Sequence, residues 1–159
     1  SDRVHMANIA QTVNVLQAMI LTEGERMLLT PTYHVFDMYK VHQDADLLGF
    51  AMLSDDYVWE GERVHQISAS VSRDAAGKLH MTLANVNPDQ AAEVTCHIGD
   101  FDGAPHVEGS VLTAAAMNAR NTFEQPEQVK PQAFADFTVE GCTLHIQMPA
   151  KSVVLLTVS

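Results

Sequence analysis

His65-Gln66-Ile67-Ser68-Ala69-Ser70-Val71-Ser72-Arg73, then Asp74-Ala75-Ala76-Gly77, then Lys78 to Asn87, is the stretch that decides the fold. Ile67, Ala69 and Val71 recur at every second position. After the Asp-Ala-Ala-Gly turn signal, Leu79, Met81 and Leu83 alternate with His80, Thr82 and Ala84. Period-two alternation on both sides of a short polar turn predicts a β-hairpin. Asn87-Pro88-Asp89 ends it, because proline cannot continue a hydrogen-bonded ladder. Downstream the pattern persists. Glu93 to Ile98 places Val94, Cys96 and Ile98 on one side, and His106 to Ala115 predicts another strand. Phe134 to Val139, Cys142 to Met148 and Ser152 to Val158 follow, punctuated by Glu140-Gly141 and Pro149-Ala150-Lys151. Asn118 to Gln132 is polar, carries Pro126 and Pro131, and reads as a long surface loop. Several short strands separated by turn signals predict an antiparallel two-layer sandwich.

Upstream the period changes. Val4, Ala7, Ile9, Val13, Leu16 and Ile20 recur at spacings suited to one long helix. Thr22-Glu23-Gly24-Glu25 reads as a polar break. Thr30 suits an N-cap and Pro31 a first helical position, so a second, short helix is expected from Pro31 to about His42. Tyr33, Phe36 and Tyr39 would form its apolar face, with Met38 and Val41 at the edges. A helix with a wide apolar stripe buries that stripe against something. Much of what the first helix would cover is expected to lie upstream of Ser1.

The net charge of -11 argues against nucleic acid and against an anionic membrane surface. With 47% hydrophobic residues the chain can bury a real core. Cys96 and Cys142 read as small buried hydrophobes in a reducing compartment; a single disulfide is the alternative. No apolar run is long enough to span a bilayer. No signal-peptide pattern opens these residues, which says nothing of any that precede them.

Chemistry is sparse. Glu23-Gly24-Glu25 and Glu60-Gly61-Glu62 place carboxylates close together, but in polar connectors where solvated charge explains them. His34 and His42 are too far apart on one helix for a shared ion. His80, His97 and His145 are expected as exposed strand histidines without ligand partners. There is no CxxC pair, no phosphate loop and no nucleophile elbow. Trp59, beside Asp55 and Asp56, is expected to anchor its loop to the core; stacking on a sugar is the alternative. No metal and no cofactor is expected.

Four stretches carry a resemblance: Ala7 to Leu16 (ANIAQTVNVL), Leu29 to His42 (LTPTYHVFDMYKVH), Asn121-Thr122-Phe123-Glu124-Gln125-Pro126 with Val129-Lys130-Pro131, and Pro149 to Val154 (PAKSVV). Together they resemble the C-terminal part of an α-L-arabinofuranosidase of glycoside hydrolase family 51. The resemblance implies a (β/α)8 barrel followed by a jelly-roll-like β-sandwich. Residues 1–28 would be the last helical segment of the barrel, 29–48 a helical connector and 49–159 the sandwich. Such enzymes release terminal arabinofuranose from arabinan and arabinoxylan fragments by a retaining mechanism, which needs two carboxyl groups a few ångströms apart. The resemblance puts both on glutamates upstream of Ser1, so no residue of this chain is expected to be catalytic. It matches Gln11 to a glutamine that hydrogen-bonds the sugar in the intact enzyme; Asn8 and Asn14 read as packing contacts. The implied partners are the catalytic barrel, arabinose-containing oligosaccharides and further copies in a homo-oligomer. The implied location is the cytoplasm. A sandwich strand supplied from the upstream part is a further expectation, its absence leaving an open edge. The competing readings are a free-standing carbohydrate-binding module and an oligomerisation domain.

Overall fold

The computed structural model describes residues 9, 12–16, 18–99 and 105–159. In chain order its elements are β1 (Ile20–Glu23), β2 (Arg26–Leu29), α1 (Pro31–Tyr39) with a 3-10 turn (Lys40–His42), β3 (Asp46–Leu47), β4 (Asp56–Trp59), β5 (Glu62–His65), β6 (Ile67–Arg73), β7 (Leu79–Asn85), β8 (Ala92–His97), β9 (Val107–Leu112), β10 (Gln132–Ala133), β11 (Phe137–Glu140), β12 (Thr143–Met148) and β13 (Ser152–Val158). Two antiparallel sheets form the sandwich. The wide layer has six strands in the order β10-β9-β13-β7-β6-β3, and the narrow layer has three, β11-β12-β8. β1 with β2 and β4 with β5 are separate hairpins.

The deciding hairpin forms as its alternation predicts. β6 and β7 pair from Ile67↔Asn85 to Arg73↔Leu79. Asp74 closes the turn: its Oδ1 accepts from the backbone N–H groups of Ala76 and Lys78, both at 2.9 Å. Gly77 sits at φ +83°, a conformation that disfavours any residue with a Cβ. Leu79, Met81 and Leu83 of β7, Val154, Leu156 and Val158 of β13, and Leu144, Ile146 and Met148 of β12 form one buried core between the layers. The strands of the expected sandwich appear within a residue or a few of their predicted bounds. Gln132–Ala133 adds a short edge strand on β9.

The wide sheet is covered on its other face too. Met38 of α1, Leu112 and Val129 form a second buried cluster, with Val35, Val153 and Leu155 packed against it. β7 is therefore buried on both faces along most of its length. Thr30 caps α1 by accepting from the Tyr33 N–H at 3.4 Å, and Pro31 takes the first turn, as expected. Two details differ. The α-helix ends at Tyr39 and tightens into the 3-10 turn. Its buried residue is Met38, whereas Phe36, expected on the apolar face, is 48% exposed.

The long first helix is corrected wherever it is described. Thr12–Leu16 runs as bends and a turn, with a single parallel bridge from Val13 to Ile20. Its backbone bonds close a loop, with Met19 N–H donating to Thr12 O and Asn14 N–H to Ile20 O, both at 3.0 Å. Asn14 adopts φ 54°, a left-handed conformation that a helix interior does not contain. β-Branched Thr12, Val13 and Val15 add little helix propensity. Leu16, placed on the buried stripe, is 89% exposed. The polar break Thr22–Glu25 is the turn of the β1–β2 hairpin, with Gly24 at φ +58° as a two-residue II′ turn requires. Val4 and Ala7 lie outside the described residues. β3 falls inside the stretch expected to be connector and pairs with β6 through Asp46↔Arg73.

The two layers do not match in width. Ile98 N–H donates to Cys142 O at 2.9 Å, so the even-numbered residues of β8 bond β12. The backbone groups of Glu93, Thr95 and His97 then face away from the sheet. Among the described residues no strand pairs with that edge. Beside it, between β8, the inner face of β6–β7 and the segment Leu48–Asp55, lies a cleft of ≈ 1060 Å³.

Candidate functional site

The cleft is a broad concave feature of about 1060 Å³ on the inner side of the wide sheet. Its floor is the apolar inner face of the sandwich (Ile67, Ala69, Leu79, Met81) and its wall is β8. Its roof, Leu48 to Asp55, is held at two points. Leu48 N–H donates to Val71 O at 3.0 Å, and Ser54 Oγ accepts from Ile67 N–H at 3.1 Å. Between them Phe50, Met52 and Leu53 are exposed, Leu53 fully so. The Leu48 bond continues the β3–β6 pairing by one residue, and beyond it no strand pairing is formed by the segment among the described residues.

An apolar roof leads into the β4–β5 hairpin. Its register places Tyr57 opposite Val64 and Trp59 opposite Glu62, so Tyr57, Trp59 and Val64 share one face. Glu60 (φ 49°) and Gly61 (φ 89°) form its turn, both left-handed as a I′ turn demands. Trp59, expected to anchor a loop on the core, is instead 63% exposed near the tip. The cause is local: Trp59 is the last residue of β4, beside the Glu60-Gly61 turn, and the hairpin forms a sheet of its own. The Glu-Gly dipeptide between Tyr57-Val58-Trp59 and Arg63-Val64 was the available signal for this hairpin; read as a polar connector it goes unrecognised.

Gln11 and Asn8 lie outside the described residues. Asn14 is a packing contact of a particular kind. Its Nδ2 donates to Thr22 Oγ1 at 2.8 Å and its Oδ1 accepts from Thr22 N–H at 2.7 Å, tying the first loop to β1. The carboxylates of Glu23-Gly24-Glu25 and Glu60-Gly61-Glu62 are all exposed, and Glu23 pairs with Arg26. Among the described residues no group of three or more His, Cys, Asp or Glu side chains could hold a metal ion. Cys96 and Cys142 are free thiols. Burial pushes the Cys96 thiol up, consistent with a small hydrophobe packed on the core.

The histidines divide. His97 is exposed and His145 partly so, bonding Thr143 and Thr95 respectively at 3.0 and 3.3 Å. His80 is not the exposed strand histidine expected: it is 6% exposed. Its Nε2 lies 3.0 Å from Asp74 Oδ2 and its Nδ1 3.1 Å from Thr157 Oγ1. It is buried because the wide sheet is covered on both faces, which alternation in one strand does not reveal.

The loop from Asn118 to Pro131 is a built structure. Asn121 is buried; its Oδ1 accepts from Val129 N–H at 2.7 Å, and its Nδ2 donates to Val129 O at 2.9 Å and to Leu29 O at 2.8 Å. One side-chain amide thus closes the loop and fixes it to the β1–β2 hairpin. A second buried amide, Asn85, donates to Gln90 O and Pro149 O beside the first residue of β13. There Lys151, at φ 46°, donates through Nζ to Pro88 O at 2.7 Å.

These features define a two-layer antiparallel β-sandwich with a half-open cleft and an exposed hairpin, the class of an accessory β domain. Residues 1–152 match the family described as alpha-L-arabinofuranosidase C-terminal domain, and the chain belongs to that family, the C-terminal domain of glycoside hydrolase family 51. It is 44% identical over 157 residues to an intracellular exo-α-L-arabinofuranosidase of Bacteroides ovatus, covering 98% of this chain and 30% of that protein. The structure is similar to the GH51 arabinofuranosidase from Xanthomonas axonopodis pv. citri, with a TM-score of 0.92, 41% identity and coverage of 99% of this chain and 32% of that one. It is also similar to a family 51 α-L-arabinofuranosidase from Bifidobacterium longum, with a TM-score of 0.87, 26% identity and coverage of 99% and 31%. The chain therefore spans about a third of the length of these relatives. No described helix is long and apolar enough to cross a membrane.

Proposed function

We propose that this chain is the bracing domain of a retaining α-L-arabinofuranosidase, and that it has no hydrolytic activity by itself. The observation that carries the reading is the mismatch between a six-stranded and a three-stranded layer, which leaves the β8 edge and an apolar cleft open beside exposed Phe50, Met52 and Leu53. Exposed contiguous apolar surface marks an interaction site. In this reading residues 1–28 close the catalytic barrel, 29–48 connect and 49–159 form the sandwich, to which a strand from outside these residues is added along β8. The catalytic glutamates belong to the barrel. Gln11 contacts the sugar there by donating to a ring or hydroxyl oxygen and accepting from a hydroxyl. Substrates are arabinose-containing oligosaccharides, the intact enzyme is a homo-oligomer, and the name of the Bacteroides relative supports a cytoplasmic location.

The test is to assay these 159 residues and the full-length protein on an aryl α-L-arabinofuranoside. Turnover is expected from the longer protein only. Turnover by the 159 residues above a buffer control would overturn the reading. Trp59 and Tyr57 on one exposed hairpin face favour a second reading, a carbohydrate-binding module. Saturable heat on titration with arabinan oligosaccharides, lost in Trp59→Ala, would support it.

A further inference from the structure

Beneath the 3-10 turn, on the outer face of the wide sheet, two histidines meet three hydroxyls and one carboxylate. His42 comes from the turn. Its Nδ1 lies 2.6 Å from Ser72 Oγ on β6 and its Nε2 2.8 Å from Thr82 Oγ1 on β7. His80 comes from β7, two residues from Thr82, and is held between Asp74 and Thr157. His42 is thus the polar tie between the helical layer and the central strands. The rest of that attachment is apolar, through Met38 and Val35.

We propose that His42 and His80 form an acid-operated latch, which keeps α1 and its 3-10 turn closed on the sheet while His42 is neutral and releases them when His42 takes up a proton.

The argument starts from donor and acceptor counting. A neutral imidazole has one donor and one acceptor nitrogen, and a hydroxyl can serve either. Ser72 and Thr82 therefore satisfy neutral His42 completely. A proton added to His42 makes both nitrogens donors, so the hydroxyl that was donating must reverse and find another acceptor in a half-buried site. It also brings a charge without a counter-ion. The charged and titratable groups around His42 are few. On its own turn Lys40 is engaged by Asp37 at 2.7 Å. From α1 the ring of Tyr39 approaches, its centroid 5.8 Å away. β6 presents Ser68, Ser70 and Ser72 on this face; Arg73 and its partner Asp46 have the opposite parity. β7 presents His80, with Asp74 behind it, and β13 presents Thr157. The sole carboxylate of the cluster is thus committed to His80. Burial first, and the facing His80 second, hold His42 below its ordinary value of 6.5. Opening gives His42 water and removes both penalties, so protons favour the open form.

The release would be local. β7 and β13 are held by the core beneath them, which contains no ionisable residue among its fully buried members. What opens is the cover over Leu112, Val153 and Leu155.

Amide hydrogen exchange on the protein, normalised to intrinsic rates, reads the opening directly. As pH falls through 6.5, amides of α1 and the turn are expected to lose protection, by up to about tenfold per pH unit, while β7 and β13 keep theirs. His42→Gln offers a donor and an acceptor to the same hydroxyls but cannot take up a proton; its helix protection is expected to be independent of pH. Should that variant fold poorly, NMR titration of the His42 ring in the parent protein decides: a midpoint below 6.5 supports the latch. A midpoint at or above that value, helix protection that follows β7 across the pH range, or an unchanged pH response in a folded His42→Gln would each overturn it.

Discussion

Asn121 Nδ2 donates to the Leu29 carbonyl at 2.8 Å, a bond between residues 92 positions apart. It joins the loop before β10 to the last residue of β2, ahead of the helix that covers the wide sheet. The same amide closes its own loop onto Val129, a member of the outer apolar cluster. A single residue therefore sets the position of the loop, the entry to α1 and part of the packing on Leu112.

Asn121→Ala leaves a buried N–H at Val129 and two carbonyls without that partner. Each unsatisfied buried group costs about 1–3 kcal/mol, so a total loss near 3 kcal/mol is expected even if water recovers part of it. A thermal or urea melt measures this, and a change below 1 kcal/mol would mean that the loop finds other partners without cost.

Gly109 has no room for a methyl group. A Cβ there would stand 2.4 Å from Phe134 O and 3.2 Å from Leu156 Cδ2. The same glycine accepts from Phe134 N–H at 2.9 Å, so the backbone cannot withdraw without losing a bond. Gly109→Ala is expected to destabilise by about 1–3 kcal/mol through overpacking. The melt of this variant against the parent checks it; a neutral result would show that β10 moves freely.

Leu156 and Trp59 give opposite expectations for two large apolar side chains. Leu156 is fully buried in the core, so Leu156→Ala should cost about 2–5 kcal/mol. Trp59→Ala should leave the stability of these residues within about 0.5 kcal/mol, because the ring is mostly exposed. Equilibrium unfolding of both variants separates a core contribution from an exposed one.

Asp74 should shape the acid limb of the stability curve. The hydrogen bond from His80 is the largest cause holding its carboxyl below the ordinary 3.8, with the Lys78 and Ala76 backbone N–H groups also lowering it. A carboxyl depressed in the folded state adds stability that is present above the unfolded value and lost as pH falls through the folded one. Asp74→Asn should therefore melt below the parent at neutral pH, and the two curves should converge as pH drops past 3.8. Curves that stay parallel to the acid end would place the effect of the substitution in turn geometry instead.

The sandwich was legible because its signal is local. β6, β7, β12 and β13 alternate cleanly, and Asp74-Ala75-Ala76-Gly77 and Glu140-Gly141 mark their turns. What alternation could not convey was burial on the second face. His80 sits on the polar parity of β7 and reads as exposed, yet it is buried and faces His42 of the 3-10 turn. The first segment misled for a different reason. Val13, Leu16 and Ile20 have helical spacing, but Asn14 in a left-handed conformation and a Thr22-Glu23-Gly24-Glu25 hairpin turn outweigh it. Trp59 shows the limit of composition: a lone tryptophan looks like a core residue until it proves to be exposed beside the turn of a separate hairpin. Gln11 owed its candidacy to resemblance, since an isolated glutamine has no pattern that periodicity can detect.

β13 is the final strand in chain order and a central one in space, pairing with β7 on one side and β9 on the other. During synthesis every other strand of the wide sheet emerges first and waits, with β7 and β9 unable to bridge the gap between them. Native assembly of this layer consequently waits for residues 152–158 to leave the ribosome, and until then the nascent chain must carry the bare flanks of both strands.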